Sequence, residues 1–252
     1  MVIHNKTCED VMSGMDDTSV DLVVGDPPYN LGMDDWDIFK SEADFDSYME
    51  RWTSEACRVL AFGGSFYMFN TPRNCARILG HLEGCGLALQ NWITWDKRDG
   101  LGSSSKRYTR GQETILFMTK GDQWTFNADD VRVPYESTSR VKSGVIRAGY
   151  RWFPNPKGRL CGEVWHITSE RHKQKKNGRT VQMGHMTPKP LEMMIRIVRA
   201  SSNEGDTVLD PFMGTGALAE VCHRLNRRYI GCDINPDYCR MAGERLKQGL
   251  IC

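Results

Sequence analysis

Apolar positions along this chain recur in two rhythms. Short apolar runs closed by glycine, proline or aspartate read as buried strands, and runs at three- and four-residue spacing read as amphipathic helices. Residues 2–4 suit an edge strand and residues 8–15 a helical turn. Residues 20–24, interrupted only by Asp21 and closed by Gly25, predict a buried strand. Residues 31–41 are acidic and aromatic without a period, which predicts a mobile flap. In 42–60, Phe45, Tyr48, Met49, Trp52, Ala56 and Val59 share one face and predict a helix that Gly63-Gly64 closes off. A strand over 65–69 follows, then a helix from Pro72 to about residue 83, with proline in its first turn. Residues 87–95 predict a strand ending at Asp96-Lys97, residues 98–111 a flexible Gly- and Ser-rich connection, and residues 113–120 another strand.

From residue 121 to 183 both rhythms lapse. Trp124, Phe126, Tyr135, Tyr150, Trp152, Phe153 and Trp165 are scattered among basic residues and broken by Pro134, Pro154 and Pro156. Some of these aromatics must serve a small local core, and Trp165 is the best candidate for it. Periodicity then resumes. Pro190 opens a helix carrying Leu191, Met194, Ile195, Ile197 and Val198, followed by a strand over 207–212, a helix over 217–225 and a strand over 228–232. Strands alternating with helices predict an α/β fold, a Rossmann-like sheet with helices on both faces. The division is residues 1–120 and 184–252 for the sheet domain, with 121–183 as an insertion.

Composition changes this picture little. The 252 residues are enough for one large domain or one domain with an insertion. No run approaches a membrane span and no signal peptide precedes Asp10, so the expectation is a cytoplasmic protein without membrane contact. Nine cysteines stand singly, with no Cys-x-x-Cys pair, which predicts reduced thiols and no metal site. Charge changes the picture more. Residues 132–180 hold twelve Lys or Arg against three acids, in a chain whose net charge is only +1. A polyanion is therefore drawn to one part of the molecule. Basic side chains among aromatics suit phosphate contacts and base stacking.

The candidate chemistry begins at Asp26-Pro27-Pro28-Tyr29-Asn30. Two prolines cannot extend a strand ladder, so this loop sits at the carboxyl end of the strand before it, where open α/β sheets keep their ligands. A carboxylate, free carbonyls and an aromatic face suit a planar base with an exocyclic amine. A second unit lies far down the chain. Asp210-Pro211-Phe212-Met213-Gly214-Thr215-Gly216 closes a strand and opens a helix, and the next strand ends at Asp233. Paired glycines permit close backbone approach, and an acid about 20 residues beyond suits ribose hydroxyls. The third position of a dinucleotide fingerprint is ambiguous, since Glu220 stands in its region but Ala219 could serve.

Asp26-Pro27-Pro28-Tyr29 resembles the catalytic motif of the DNA amino-methyltransferases, which modify adenine N6 or cytosine N4. Asp210 to Gly216 is similar to that family's S-adenosylmethionine motif, and Thr187-Pro188-Lys189-Pro190 to its Thr-x-Lys-Pro motif. The catalytic motif precedes the cofactor motif, which is the order of the β class, a circular permutation of one common sheet. The resemblance extends to Glu113 and to the region from Gly158 to Trp165. It implies that Asp26, Pro27, Pro28 and Tyr29 are catalytic. It implies a cofactor site of Asp26, Thr187, Lys189, Asp210, Phe212, Gly214, Thr215, Gly216, Asp233 and Asn235. Asp233 would hold the ribose where the family more often has glutamate. The insertion becomes a target-recognition segment that binds double-stranded DNA through Arg140, Lys142, Arg147, Arg151, Lys157, Arg159, Arg171, Lys173, Lys175 and Lys176. A homodimer and a cognate restriction endonuclease are further partners the resemblance suggests.

The expected reaction is methylation of a flipped adenine at N6, because cytosine enzymes of the family more often begin the motif with serine. Cytosine N4, an RNA or small-molecule substrate, an inactive DNA-binding protein on the same fold, and a nicotinamide oxidoreductase stand as alternatives.

Overall fold

In the computed structural model, residues 1–101, 105–106, 108–137, 139–169, 173–176, 179–182 and 189–249 are described. Alternate side chains of the central strands are apolar on both sides, which suits strands buried between two layers of helices. In β2 (Val20–Gly25), Val20 and Val23 enter one core while Leu22 and Val24 enter the other. With β1 (Val2–His4) it begins an eight-stranded sheet completed by β3 (Leu60–Asn70), β4 (Leu87–Leu101), β5 (Arg110–Lys120), β6 (Val164–His166), β7 (Thr207–Asp210) and β8 (Arg228–Cys232). The order across the sheet is β1-β8-β7-β2-β3-β5-β4-β6.

Helices α1 (Cys8–Met12), α2 (Glu42–Val59) and α3 (Pro72–Gly84) cover one face. Helices α4 (Leu191–Ser201), α5 (Ala217–Arg224) and α6 (Pro236–Gly249) cover the other. Both α2 and α3 start at hydroxyl caps: Ser41 accepts from the Asp44 amide and Thr71 from the Asn74 amide. Glu220, in the region of that ambiguous third position, is buried and pairs with Arg224 and Arg245, so it ties α5 to α6.

Only β5 runs against its neighbours in this sheet. It pairs antiparallel with both β3 and β4, whereas every other pairing is parallel. The carboxyl ends of the parallel strands and the amino end of β5 therefore share one edge. At that edge Asn70 lies opposite Thr114, and Trp95 opposite Glu113.

Several expectations are corrected. Gly63-Gly64 does not close the helical unit but lies inside β3, where the register slips from Val20↔Leu60 to Leu22↔Ser65. A Cβ on Gly64 would stand 2.9 Å from the Asp21 carbonyl, so only glycine fits this irregularity. Part of the expected flexible connection is sheet, with Leu101 paired to Arg110. Within the expected flap at 31–41, the Leu31 and Met33 amides donate to the buried Asp37 carboxylate, and Asp35–Asp37 form a short 3-10 helix.

The basic stretch contains short antiparallel pairs: Arg132–Val133 with Arg159–Leu160, Val145–Arg147 with Tyr150–Trp152, and Lys173–Lys176 with Arg179–Gln182. It is not separate from the sheet throughout. β6 lies within it and pairs with β4, and the Asn127 amide donates to the Ala200 carbonyl at the end of α4 (2.7 Å). Trp165 packs in the core beneath α4 with the Arg196 guanidinium 4.9 Å from its ring centre. It therefore belongs to the main core and not to a local one.

Candidate active site

The Asp26 loop leaves the sheet at Gly25, where a side chain would meet Trp52 at 3.0 Å. Its shape is dictated from three directions. Asp37 accepts four backbone N–H groups: Tyr29 (2.6 Å) and Asn30 (2.7 Å) on Oδ1, Leu31 (2.9 Å) and Met33 (3.2 Å) on Oδ2. The Asn70 amide, at the end of β3, donates to the Pro28 carbonyl at 3.3 Å. The Asn74 amide, in the first turn of α3, donates to the Tyr29 carbonyl at 2.8 Å. Asn30 takes the left-handed conformation (φ 56°) that closes the turn. Among the described residues none donates to the Pro27 carbonyl, which leaves it as an acceptor beside the Asp26 carboxylate.

Around Asp26 lies a network of five polar side chains. The Lys189 ammonium donates to Asp26 Oδ2 at 2.6 Å and stands 3.6 Å from Glu113 Oε2. The Tyr29 hydroxyl is 3.0 Å from both Asp26 Oδ1 and Glu113 Oε2. Lys97 pairs with the other oxygen of Glu113. The Lys189 ammonium also lies 5.4, 5.3 and 5.8 Å from the ring centres of Tyr29, Phe69 and Trp95. Two carboxylates thus face two ammoniums, and the charges balance within a buried space.

Environment sets each ionisation. Burial works to strip the Lys189 proton, but Asp26 and Glu113 outweigh it and hold that ammonium above the ordinary lysine range. Burial likewise works to raise the Glu113 carboxyl, and Lys189 and Lys97 outweigh it, so Glu113 is held low and charged. Burial, followed by the charges of Asp26 and Glu113, pushes the Tyr29 phenol well up, so it stays protonated.

The glycine loop faces this network from the adjacent strand β7. Gly214 (φ 52°) and Gly216 (φ 79°) both take the left-handed region, and a Cβ on Gly216 would stand 2.7 Å from that of Ala242. Asp233, at the end of β8, accepts from the Gly214 amide (2.9 Å) and the Asn235 amide (2.8 Å), one on each oxygen. Each of its oxygens keeps a lone pair for a further donor. Asp210 is buried and accepts from the Tyr229 hydroxyl at 3.0 Å. Burial pushes its carboxyl up to about 7, against the lowering effect of that hydroxyl and the Phe212 amide.

Asp26, Lys189, Asp210, Phe212, Gly214 and Thr215 line one cavity with Val24, Phe69 and Met194. Gly216, Asp233 and Asn235 are not among its lining residues, and the Asn235 side chain accepts from the Asp237 amide as α6 begins. The cavity offers carboxylates, an apolar wall and a glycine backbone that admits close approach. That donor set fits a nucleoside carrying a sulfonium, as in S-adenosylmethionine. Thr187 lies outside the described residues, as does Arg171.

Among the described residues, none of the candidate DNA contacts lines this cavity. Lys142, Arg147, Arg151 and Arg159 are exposed. Lys157 is exposed too, but its ammonium pairs with Asp129 at 2.8 Å. For Arg140, Lys173, Lys175 and Lys176 the backbone alone is described. Among the described residues no group of three or more His, Cys, Asp or Glu is arranged to hold a metal ion, and no helix is long and apolar enough to cross a membrane.

Asp37, Asn70, Asn74 and Lys97 were not identifiable as site residues from the sequence, and Glu113 stood out only through the family resemblance. A partial signal existed for Asn70, which ends an apolar strand just before a Thr-Pro helix start.

Comparison with known proteins agrees with this geometry. The chain is 52% identical over 250 residues to the type II methyltransferase M1.MboII of Moraxella bovis, covering 98% of this chain and 96% of that protein. It is 36% identical over 239 residues to the type II methyltransferase M.HpaI of Haemophilus parainfluenzae, covering 93% and 70%. Among solved structures, TTHA0409 of Thermus thermophilus, described as a candidate DNA modification methylase, superposes with a TM-score of 0.66 at 26% identity over 98% of this chain and 95% of its own. The cytosine-N4-specific PvuII DNA methyltransferase superposes with a TM-score of 0.73 at 14% identity, covering 96% and 85%, a likeness of fold. The model of the DNA methylase family of N6 and N4 enzymes matches residues 20–244. With two motif loops in β-class order facing one cavity, and a family match over most of its length, this chain belongs to the N6/N4 DNA methylases, whose methyl donor is S-adenosylmethionine.

Proposed function

We propose that this chain is a type II DNA methyltransferase that modifies the exocyclic N6 of adenine in double-stranded DNA. One observation carries the reading: Asp26 and the glycine loop at Gly214 line a single cavity. The aspartate at the head of the motif favours adenine over cytosine N4, since cytosine enzymes of the family more often place serine there.

An amine inside a base-paired duplex cannot reach a carboxylate that lines a cavity, so the target nucleotide leaves the stack. Tyr29 offers the flipped base its ring. Asp26 and the Pro27 carbonyl accept the two amine protons and draw the nitrogen towards tetrahedral geometry, which frees the lone pair otherwise delocalised into the ring. S-adenosylmethionine, when bound, supplies an electrophilic methyl group. Asp210, Phe212, Gly214, Thr215, Gly216, Asp233, Asn235, Thr187 and Lys189 are the residues proposed to hold it. Positioning is the main catalytic device. Asp26 serves as acceptor for the proton that the nitrogen sheds once alkylated, so no strong base is needed.

Residues 1–120 and 184–252 are the proposed catalytic domain, and 121–183 the proposed target-recognition segment. Lys142, Arg147, Arg151 and Arg159 present free charge to the phosphate backbone, and the basic residues at 140, 157, 171, 173, 175 and 176 complete the set. From the family resemblance, a homodimer and a cognate restriction endonuclease belong to the same proposal.

The test is direct. Purified protein with tritiated S-adenosylmethionine and unmethylated phage DNA is expected to incorporate label, and nucleoside mass spectrometry to show N6-methyladenine. N4-methylcytosine in the digest would move the assignment to the other amine, and absence of label would end the enzymatic reading.

A further inference from the structure

The Tyr29 hydroxyl has a single proton but stands 3.0 Å from two carboxylate oxygens, Asp26 Oδ1 and Glu113 Oε2. It donates to one at a time. The Lys189 ammonium is similarly placed between two acceptors, at 2.6 Å from Asp26 Oδ2 and 3.6 Å from Glu113 Oε2. Both groups therefore have two seats, and in the structure Lys189 takes the seat on Asp26. Under the reading given above, that is the carboxylate a target amine must claim. Its Oδ1 already accepts from the Tyr29 hydroxyl and its Oδ2 from the Lys189 ammonium at 2.6 Å, so the amine arrives as a third donor and the ammonium competes with it for the carboxylate's charge.

Glu113 is placed to resolve the conflict. It lies near the amino end of the antiparallel strand β5, paired with Trp95 on β4, and the next residue, Thr114, is paired on both flanks, so its backbone is fixed by the ladder. Lys97 holds its far oxygen, leaving Oε2 turned towards Tyr29 and Lys189. We propose that Glu113 is a positioning residue for methyl transfer: it receives the Tyr29 proton donor and the Lys189 ammonium when the target amine takes Asp26. No bond is made or broken in this exchange. Hydrogen bonds move from one carboxylate to the other within the buried cluster, whose net charge does not change. This inference rests on the docking of the amine at Asp26.

The groups facing Lys189 define the expected pH response. They are Asp26 and Tyr29 from the loop after β2, Glu113 from β5, Lys97 and the Trp95 ring from β4, the Phe69 ring from β3, and Asp210 across the cavity. Glu113→Gln removes one of the two carboxylates that hold the Lys189 proton. Lys189 then clings to Asp26 while charged and lets go when it deprotonates, which it does at lower pH than in the wild type.

The experiment measures single-turnover transfer of tritiated methyl to unmethylated phage DNA between about pH 7 and 10, a range below the ordinary lysine value. Binding of S-adenosylmethionine by calorimetry and the melting temperature are measured beside it. Glu113→Gln is expected to slow transfer about a hundredfold at about pH 7.5, to recover as pH rises, and to bind S-adenosylmethionine within about threefold of wild type. At saturating S-adenosylmethionine, which removes any loss of cofactor affinity from the comparison, Lys189→Met in the Glu113→Gln background is expected to restore at least about tenfold, because the competing ammonium is gone; this non-additivity is the signature of a shared role. Glu113→Asp, which keeps the charge should Glu113→Gln fail to fold, is expected to slow transfer without the recovery at high pH. A Glu113→Gln rate equal to wild type, a pH profile parallel to wild type, or strictly additive losses in the double variant each overturn the proposal. Wild-type protein that transfers no methyl to DNA overturns the docking reading along with it, so the two failures are distinct.

Discussion

The sheet edge at Asp26 and the arm spanning residues 132–160 are both rich in charge, yet they are built in opposite ways. At the edge, Asp26, Lys189, Glu113, Tyr29 and Lys97 are each held by another member, and they arrive from four separate elements. In the arm, Val145–Arg147 pairs only with Tyr150–Trp152 in its sheet, and Ile146, Tyr150, Trp152 and Phe153 are 70%, 81%, 60% and 55% exposed. One region has satisfied its charges internally before any substrate arrives. The other, among the described residues, presents cations and aromatic rings to the solvent. Preorganised groups serve a reaction whose geometry is the same at every turnover. Outward-facing ones serve adhesion to a polyanion that supplies the missing half of each contact.

The sharpest way to break this contrast is Asp26→Ala. It is expected to lower methyl transfer by at least about a thousandfold while calorimetry shows S-adenosylmethionine binding changed only a few-fold, because the glycine loop is held separately by Asp233. A variant that keeps substantial activity would remove Asp26 from the chemistry. Next in size, replacing Lys142, Arg147, Arg151 and Arg159 together with glutamine should weaken DNA binding about a hundredfold at about 0.15 M salt. The log–log salt slope should flatten by roughly 0.9 for each phosphate that is no longer neutralised. An unchanged slope in a fluorescence-anisotropy titration would assign DNA binding elsewhere.

Asp37→Ala sharpens the contrast from the other side. It frees four backbone N–H groups around the motif and should slow turnover about tenfold, with a stability loss of about 2–4 kcal/mol in denaturant unfolding. Equal rates would mean that Asn70 and Asn74 suffice to shape the loop. The smallest effect expected is a pH trend. The Asp210 carboxyl sits at about 7 in the folded chain against 3.8 ordinarily, so its contribution favours folding below pH 3.8 and is lost as pH rises through 7. Asp210→Asn should flatten the melting temperature over that window relative to wild type, and parallel curves would refute the assignment.

Most of the parallel strands were legible in the sequence because each is a closed apolar run with a turn signal behind it; β6 was not, because its three residues sit among the basic and aromatic residues of the expected insertion. The loops at Asp26 and Gly214 were legible for the same reason, since proline and glycine fix backbone shape locally. Glu113 was harder to place. A carboxylate at the start of a strand reaches the ligand edge only if that strand runs backwards, and strand direction is set by partners far along the chain. Asp37 was hidden differently. Its aspartate-rich, aperiodic surroundings are those of a solvated loop, and nothing local shows that one of several nearby acids turns inward to gather amides. Thr187 and Arg171 fall outside the described residues.

The reversed strand has a consequence for how such a sheet can vary. Where strands run in parallel, side chains that meet a ligand hang from the loops after them, and any change in loop length shifts them. Glu113 instead belongs to the ladder itself, paired with Trp95 on β4 and followed by Thr114, which is paired on both flanks. The tract leading into β5 can therefore lengthen, shorten or change composition while the carboxylate stays where the ladder pins it.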